Sequence, residues 1–146
     1  MSWILEYSPI FFDFDGLLVN TEHLHYKAYK TLLESYGVSF PWDFAAFASV
    51  AHKSSTGLST LITAHAPKLF EKLDWNTFYE QKKAAYVKLL EKGGLELMPG
   101  AKEVLDLVQK ANIPHAVVTN STLKQITLIR EQLPLLKKIP HWITRE

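Results

Sequence analysis

The sequence contains no cysteine, so disulfide bonds and thiolate metal sites are excluded and the redox compartment stays open. No apolar run approaches the ~18 residues of a membrane-spanning helix, and the first residues have neither a basic start nor a long apolar stretch. The formal net charge of +1 gives no general attraction to nucleic acid or to a membrane surface. These absences predict a soluble, cytoplasmic protein with no nucleic acid and no membrane among its partners.

Glycine is scarce too, with 6 residues in a chain of 146. No glycine-rich run precedes Lys53-Ser54, which argues against a nucleotide-binding P-loop at that dipeptide. The length and the 47% hydrophobic composition are enough for one sizeable core, or for a small core with an appended layer.

A short apolar run, residues 10–12, ends at two carboxylates, Asp13 and Asp15. The run has no polar alternate, which is typical of a parallel strand covered on both faces. Because side chains alternate along a strand, the two acids point to one side and Phe14 points away between them. Open α/β sheets bind ligands at the carboxyl ends of such strands, although two aspartates there can also serve only as turn formers.

Four apolar segments with helical spacing follow and predict a helical insertion over residues 21–92. The predicted helices cover residues 21–36, 42–50, 55–65 and a last one from its N-cap Asp74 to Gly93-Gly94. The insertion separates residues 1–20 from residues 93–146, which together form the predicted α/β core. The two glycines are candidate hinge points.

The second part of the core contains another strand that ends in polar groups. Residues 115–118 are strand-like, Thr119-Asn120-Ser121 follows, and a helix is predicted over residues 122–132 with a capping box between Thr122 and Gln125. Free N–H groups and the helix dipole favour an anion at such a helix start. Taken alone, capping of the helix is the simpler explanation of these side chains.

The string Asp13-Phe14-Asp15-Gly16-Leu17-Leu18-Val19-Asn20-Thr21-Glu22 resembles the first signature of the haloacid dehalogenase-like superfamily, D-x-D-G-x-L-x-D-[ST]-E, at every fixed position except Asn20. The later strand with Thr119-Asn120-Ser121 is similar to the family's second motif. The resemblance covers nearly the entire chain. It implies an α/β fold, a Rossmann-like parallel sheet core, incomplete here, with a four-helix cap inserted after the first motif.

The resemblance also implies the chemistry. Asp13 would attack phosphorus and form an aspartyl-phosphate, and Asp15 would act as general acid and base. Thr119 and Asn120 would hold the phosphoryl oxygens, and Mg²⁺ would be bound by Asp13 and by the main-chain carbonyl of Asp15. The expected function is Mg²⁺-dependent hydrolysis of a small phosphorylated metabolite, and retention of the second aspartate favours phosphoryl transfer over the dehalogenase branch.

Two residues of the predicted cap are candidate substrate contacts. Lys53 lies in His52-Lys53-Ser54, which is predicted to open the third helix, where related phosphatases often place a basic residue; a solvated lysine is the alternative. His25 matches a histidine common in the family and would face the cleft between cap and core; a packed histidine is the alternative.

The end of the sequence departs from the family pattern. Beyond Asp106 the acids are Glu131 and Glu146, and neither follows an apolar strand, so the third and fourth motifs of the family are not recognisable. We therefore expect a core without its C-terminal third, weak metal binding and poor hydrolysis by this chain alone. An uncovered apolar edge at residues 10–12 would allow self-association.

Three alternatives remain at this stage. A phosphomutase acting on sugar phosphates would share every motif quoted above. A non-catalytic binding or regulatory protein on a truncated scaffold would keep the fold without the reaction. A response-regulator receiver domain also carries a strand-end aspartate and a nearby threonine, but it has no helical insertion after the first acidic strand.

Overall fold

The computed structural model describes residues 2–54 and 56–145. The chain divides into two compact units, Met1–Thr21 with Leu90–Glu146 and Glu22–Leu89. We call the first the core unit and the second the helical unit. From the sequence, the helical unit was predicted to span residues 21–92; in the structure it spans Glu22–Leu89.

The core unit is built on a parallel sheet of three strands in the described residues, in the order β1-β2-β3. The strands are β1 (Ile10–Phe12), β2 (His115–Val118) and β3 (His141–Ile143). Phe12 is in register with Val117, which is in register with Trp142. The strands and the helices between them confirm the predicted α/β, Rossmann-like fold class.

Between β1 and β2, the described part of residues 22–91 forms five helices. They are α1 (Glu22–Ser35), α2 (Phe44–Lys53), α3 (Gly57–His65), α4 (Pro67–Phe70) and α5 (Trp75–Glu91). The carboxylate of Asp74 accepts a hydrogen bond from the Thr77 N–H at 3.0 Å, so Asp74 caps α5 as predicted. The sequence predicted four helices and missed the short α4, which begins directly at a proline, a residue suited to the first helical position.

The segment His52-Lys53-Ser54 closes α2 and does not open α3, so that prediction was wrong. Ser54 is extended, with φ −159° and ψ 140°, and α3 begins at Gly57. Basic residues interact favourably with the carboxyl end of a helix, which explains His52 and Lys53 in the last turn of α2. Ser55, the predicted start of the third helix, lies outside the described residues.

An aromatic cluster holds the helical unit together. Burying large aromatic side chains removes much apolar area from water, and edge-to-face ring pairs add to that gain. Phe78 is fully buried and meets the ring of Phe70 edge-on, with centroids 5.3 Å apart. The buried members of the cluster are Tyr29, Leu33, Phe40, Phe47, Ile62 and Phe78.

Two further helices, α6 (Ala101–Lys110) and α7 (Leu123–Gln132), link the strands of the core unit. Both connections step the same way across the sheet, and parallel crossovers are right-handed, so α6 and α7 lie on the same face. Leu105 and Val108 of α6 and Ile126 of α7 are fully buried. The topology therefore covers one sheet face with helices.

The opposite face of the sheet carries exposed apolar side chains. Phe12 is 7% exposed, whereas its neighbour Phe11 is 61% exposed, and Val118 and Ile143 are also exposed. The prediction that the residue 10–12 strand is covered on both faces was wrong for the described chain, because both crossovers lie on one side. β1 does lie at an edge of the sheet, as expected. No helix within the described residues has the length and hydropathy of a membrane span.

Candidate active site at the ends of β1 and β2

A tight turn follows β1 and fixes the acidic segment. The carbonyl of Phe14 accepts hydrogen bonds from the N–H groups of Leu18 at 3.0 Å and Val19 at 3.2 Å. Gly16 has φ 74°, a left-handed conformation that suits glycine, and its N–H donates to the Val19 carbonyl at 2.9 Å. The turn returns the chain so that Thr21 lies beside Asp15.

Asp13 and Asp15 are separated by a core residue. Phe14 is fully buried and meets Trp142 edge-on, with ring centroids 5.2 Å apart. Asp13 is exposed, and its Oδ1 accepts the Phe14 N–H at 2.7 Å. Its Oδ2 has no hydrogen-bond partner in the part of the chain that the structure describes. The exposure pattern agrees with the prediction that Phe14 turns away between two acids, and it leaves one oxygen of Asp13 open to solvent.

The carboxylate of Asp15 is held by three hydroxyl groups. Thr21 Oγ1 donates to Oδ1 at 2.7 Å, and Ser121 Oγ donates to Oδ2 at 2.7 Å. Thr119 Oγ1 donates to the same Oδ2 at 3.2 Å. Thr21 is fully buried, and Thr119 and Ser121 are each 8% exposed. These bonds bring the first acidic segment and the hydroxyl segment after β2 together at one edge of the sheet.

The segment after β2 is organised by main-chain hydrogen bonds and by the cap of α7. The Thr119 N–H donates to the Ile143 carbonyl at 3.0 Å, and the Ser121 N–H donates to Thr119 Oγ1 at 3.0 Å. Thr122 and Gln125 form the predicted capping box. Asn120 is exposed, and neither its N–H nor its side chain has a partner among the described residues. Asn120 lies two residues before the N-cap Thr122, so its unpaired N–H is in the loop that precedes the helix, where it is available to an anion.

The ligand type at this edge of the sheet fits magnesium. Mg²⁺ prefers oxygen ligands and is commonly bound by one or two carboxylates together with water and substrate phosphate. The available groups are Asp13 Oδ2 and the main-chain carbonyl of Asp15, which accepts no hydrogen bond from the described residues. The described residues contain no cluster of three His, Asp or Glu side chains, and Glu146 lies outside them. Magnesium therefore remains a prediction, with two protein ligands.

His25 lies in a packed cluster inside the helical unit. Its ring stacks on Tyr86 with centroids 4.0 Å apart, and its Nδ1 accepts a hydrogen bond from the Lys82 ammonium at 2.7 Å. Lys82 is 5% exposed and its ammonium also lies 4.8 Å from the ring centre of Tyr29. Burial, and then the charge of Lys82, lower the pKa of His25 to about 3. These contacts match the packed-histidine alternative, and a substrate role for His25 stays a prediction.

Lys53 is exposed at the end of α2, as expected for the solvated alternative. Its neighbour His52 is the residue with a specific contact, because His52 Nε2 lies 2.7 Å from Glu22 Oε1. That contact ties the start of α1 to the end of α2. A substrate role for Lys53 likewise stays a prediction.

Sequence reasoning assigned no role to three residues that the structure places in these clusters. Thr21 and Ser121 donate hydrogen bonds to the Asp15 carboxylate, as Thr119 does, and Lys82 contacts His25. Thr21 and Ser121 stand in the two quoted motif strings, so a signal was present in their hydroxyl groups. For Lys82 the signal was a lysine within the otherwise apolar face of α5.

Residues 10–146 match the family model described as haloacid dehalogenase-like hydrolase. The chain belongs to this family. A haloacid dehalogenase-like relative, the phosphorylated carbohydrates phosphatase of Thermotoga maritima, is 30% identical over 131 residues, which cover 89% of this chain and 55% of that protein. A "Probable pseudouridine-5'-phosphatase" of Drosophila melanogaster is 27% identical over 117 residues, covering 80% of this chain and 48% of that one.

Solved haloacid dehalogenase-like structures share the fold. The crystal structure of CbbY from Rhodobacter sphaeroides in complex with phosphate aligns with a TM-score of 0.63 at 22% identity, over 92% of this chain and 62% of that one. The chain spans about half the length of the two curated relatives.

Proposed function

We propose that this haloacid dehalogenase-like chain carries the site of a phosphoric monoester hydrolase for small phosphorylated metabolites, with sugar phosphates as the first candidates. One observation carries the proposal: the hydroxyls of Thr119 and Ser121 meet the Asp15 carboxylate at the start of α7, and Asp13 lies exposed at the end of β1. The relative named for phosphorylated carbohydrates supports that choice of substrate.

The anion would bind where donors are available. The Thr119 hydroxyl can rotate toward a phosphoryl oxygen, and the unpaired N–H of Asn120, in the loop before α7, can donate to a second oxygen. Asp13 Oδ2 and the Asp15 carbonyl would hold Mg²⁺, which supplies charge neutralisation between a carboxylate and an anionic phosphate.

The reaction then follows from the two carboxylates. The other carboxylate oxygen of Asp13, which is not assigned to Mg²⁺, attacks phosphorus; a phosphorus–oxygen bond forms, and the bond from phosphorus to the substrate oxygen breaks. Asp15, protonated, gives its proton to the departing alkoxide. The resulting carboxylate of Asp15 takes a proton from water, the hydroxide attacks the phosphoryl group, and Asp13 is regenerated with release of phosphate.

The test is phosphate release from a panel of sugar phosphates by the 146-residue chain with Mg²⁺. Because the described residues offer only two protein ligands for Mg²⁺, we expect slow turnover. The assay therefore uses a protein concentration comparable with that of the substrate. Asp13→Asn should abolish release, since an amide is a poor nucleophile, and Glu131→Gln, a matched change at an exposed acid, should not. Release that persists in Asp13→Asn would refute the role of Asp13.

The assay also separates the two alternatives of the same fold. Movement of phosphate to another hydroxyl of the sugar, without release, would identify a phosphomutase. No reaction at any Mg²⁺ concentration, together with binding of inorganic phosphate, would favour the non-catalytic alternative.

A further inference from the structure

We propose that Ser121 is a positioning residue that holds the Asp15 carboxylate while Thr119 turns its hydroxyl to the phosphate. This inference rests on the proposed function and adds a residue to it. It starts from the unequal bonds to Asp15 Oδ2, which are 2.7 Å from Ser121 Oγ and 3.2 Å from Thr119 Oγ1.

A hydroxyl group has one proton to donate. Thr119 Oγ1 donates that proton to Asp15 and accepts the Ser121 N–H at 3.0 Å. When the Thr119 hydroxyl donates to a phosphoryl oxygen, its bond to Asp15 is lost. Ser121 on Oδ2 and Thr21 on Oδ1 then remain as the donors that fix the carboxylate.

The same exchange leaves the carboxylate held at both oxygens. A carboxylate has about four acceptor positions on its two oxygens. Three of them are filled by Thr21, Thr119 and Ser121. After the Thr119 hydroxyl has turned to a phosphoryl oxygen, Thr21 still bonds Oδ1 and Ser121 still bonds Oδ2, so the orientation of the carboxylate is kept.

Helix capping does not explain the Ser121 hydroxyl. Thr122 is the N-cap of α7, and its side chain and that of Gln125 complete the capping box. The Ser121 Oγ donates to Asp15, away from the helix backbone, and the side chain is only 8% exposed. The hydrogen bond from Ser121 to Asp15 is therefore not needed to cap α7.

The first test compares two phosphate esters with Ser121→Ala. 4-Nitrophenyl phosphate has a leaving group that needs no proton, whereas an alkyl phosphate such as glycerol 2-phosphate does. We expect kcat/KM for the alkyl ester to fall roughly tenfold or more beyond the fall for the nitrophenyl ester, because general acid catalysis contributes most there. Ser121→Thr should restore the ratio, and Ser35→Ala, a matched change at an exposed serine of α1, should leave it unchanged.

The second test does not depend on turnover. In the chain labelled with ¹³C-aspartate, Ser121→Ala should shift the carboxyl-carbon NMR signal of Asp15 and leave that of Asp13 in place, and Ser121→Thr should return it. If Ser121→Ala does not fold, Ser121→Cys, a weaker donor of similar shape, takes its place. We then expect the Asp15 signal to shift in Ser121→Cys and to return in Ser121→Thr.

The outcomes separate this inference from the proposed function. An equal loss for both esters, an unmoved Asp15 carbon signal, or no rescue by threonine would overturn the role of Ser121. Absence of phosphate release by the unsubstituted chain from either ester would count against the hydrolase proposal, and the carbon signal would then decide the role of Ser121 by itself.

Discussion

The two units surround a charged side chain in opposite ways. In the core unit, Asp15 is held by hydroxyl groups whose O–H bonds can rotate. In the helical unit, the ammonium of Lys82 lies against tyrosine rings and bonds the imidazole of His25. Rotating hydroxyls can exchange partners without moving the backbone, whereas stacked rings are fixed by close packing. The first arrangement lets the hydrogen bonds around the charge rearrange, and the second holds its charge in one place.

The largest expected effect breaks the packing of the helical unit. Phe78→Ala removes a fully buried ring and should lower the free energy of unfolding by about 3–5 kcal/mol, through lost burial and the cavity left behind. Urea unfolding, monitored by hydrogen exchange, should show the lower free energy of unfolding in residues 22–89. The control is Leu123→Ala, at a side chain 57% exposed in α7, which should change stability by less than about 0.5 kcal/mol. Equal effects of the two changes would show that the aromatic cluster does not hold the helical unit together.

The next largest effect is a dependence of stability on pH, which we expect from the buried His25 of the helical unit. The pKa of His25 is about 3 in the folded chain against 6.5 for a free side chain, so the unfolded state binds the proton more readily. His25 therefore contributes stability above pH 6.5 that is lost as the pH falls toward 3, at about 1 kcal/mol per pH unit. His25→Phe should flatten this part of the stability curve, measured by urea unfolding at several pH values.

The matched change for this pH effect is His141→Phe, at an exposed histidine of β3, which should leave the slope as it is. A slope that survives in His25→Phe would show that other groups cause the acid sensitivity.

The smallest of these effects removes one hydroxyl from the core cluster. Thr21→Val keeps the shape of the side chain but deletes the donor to Asp15 Oδ1, a bond to a charged group that contributes about 1.5–3 kcal/mol. In Asp15→Asn the same change should cost less, because the charge is gone. Unfolding of the four chains of this double-mutant cycle measures the coupling. A coupling near zero would mean that the bond adds no stability.

Local signals explain which predictions succeeded. The capping box of Thr122 and Gln125 and the N-cap at Asp74 were readable because each bond joins residues three apart in the chain. The placement of His52 and Lys53 failed for the complementary reason. Their residue types fit either the end of one helix or the loop before the next, and only the extended backbone at Ser54 decides between them.

Sheet coverage required information that the strand itself does not carry. An apolar run at residues 10–12 shows that the strand can be buried on both faces, but the direction of the crossovers determines which face receives a helix. Phe12 and Phe11 have the same side chain, and yet one is 7% and the other 61% exposed.

The sequence by itself determined that two acids follow a buried strand, that hydroxyl groups precede a capped helix, and that a helical insertion lies between them. Only the tertiary structure decided that Ser121 reaches Asp15 across 106 positions of the chain and that Lys82 reaches His25 across 57. The reason is that a hydrogen bond requires an approach within about 3 Å. Strand order and helix packing set that approach for distant residues, and the local pattern of side chains does not.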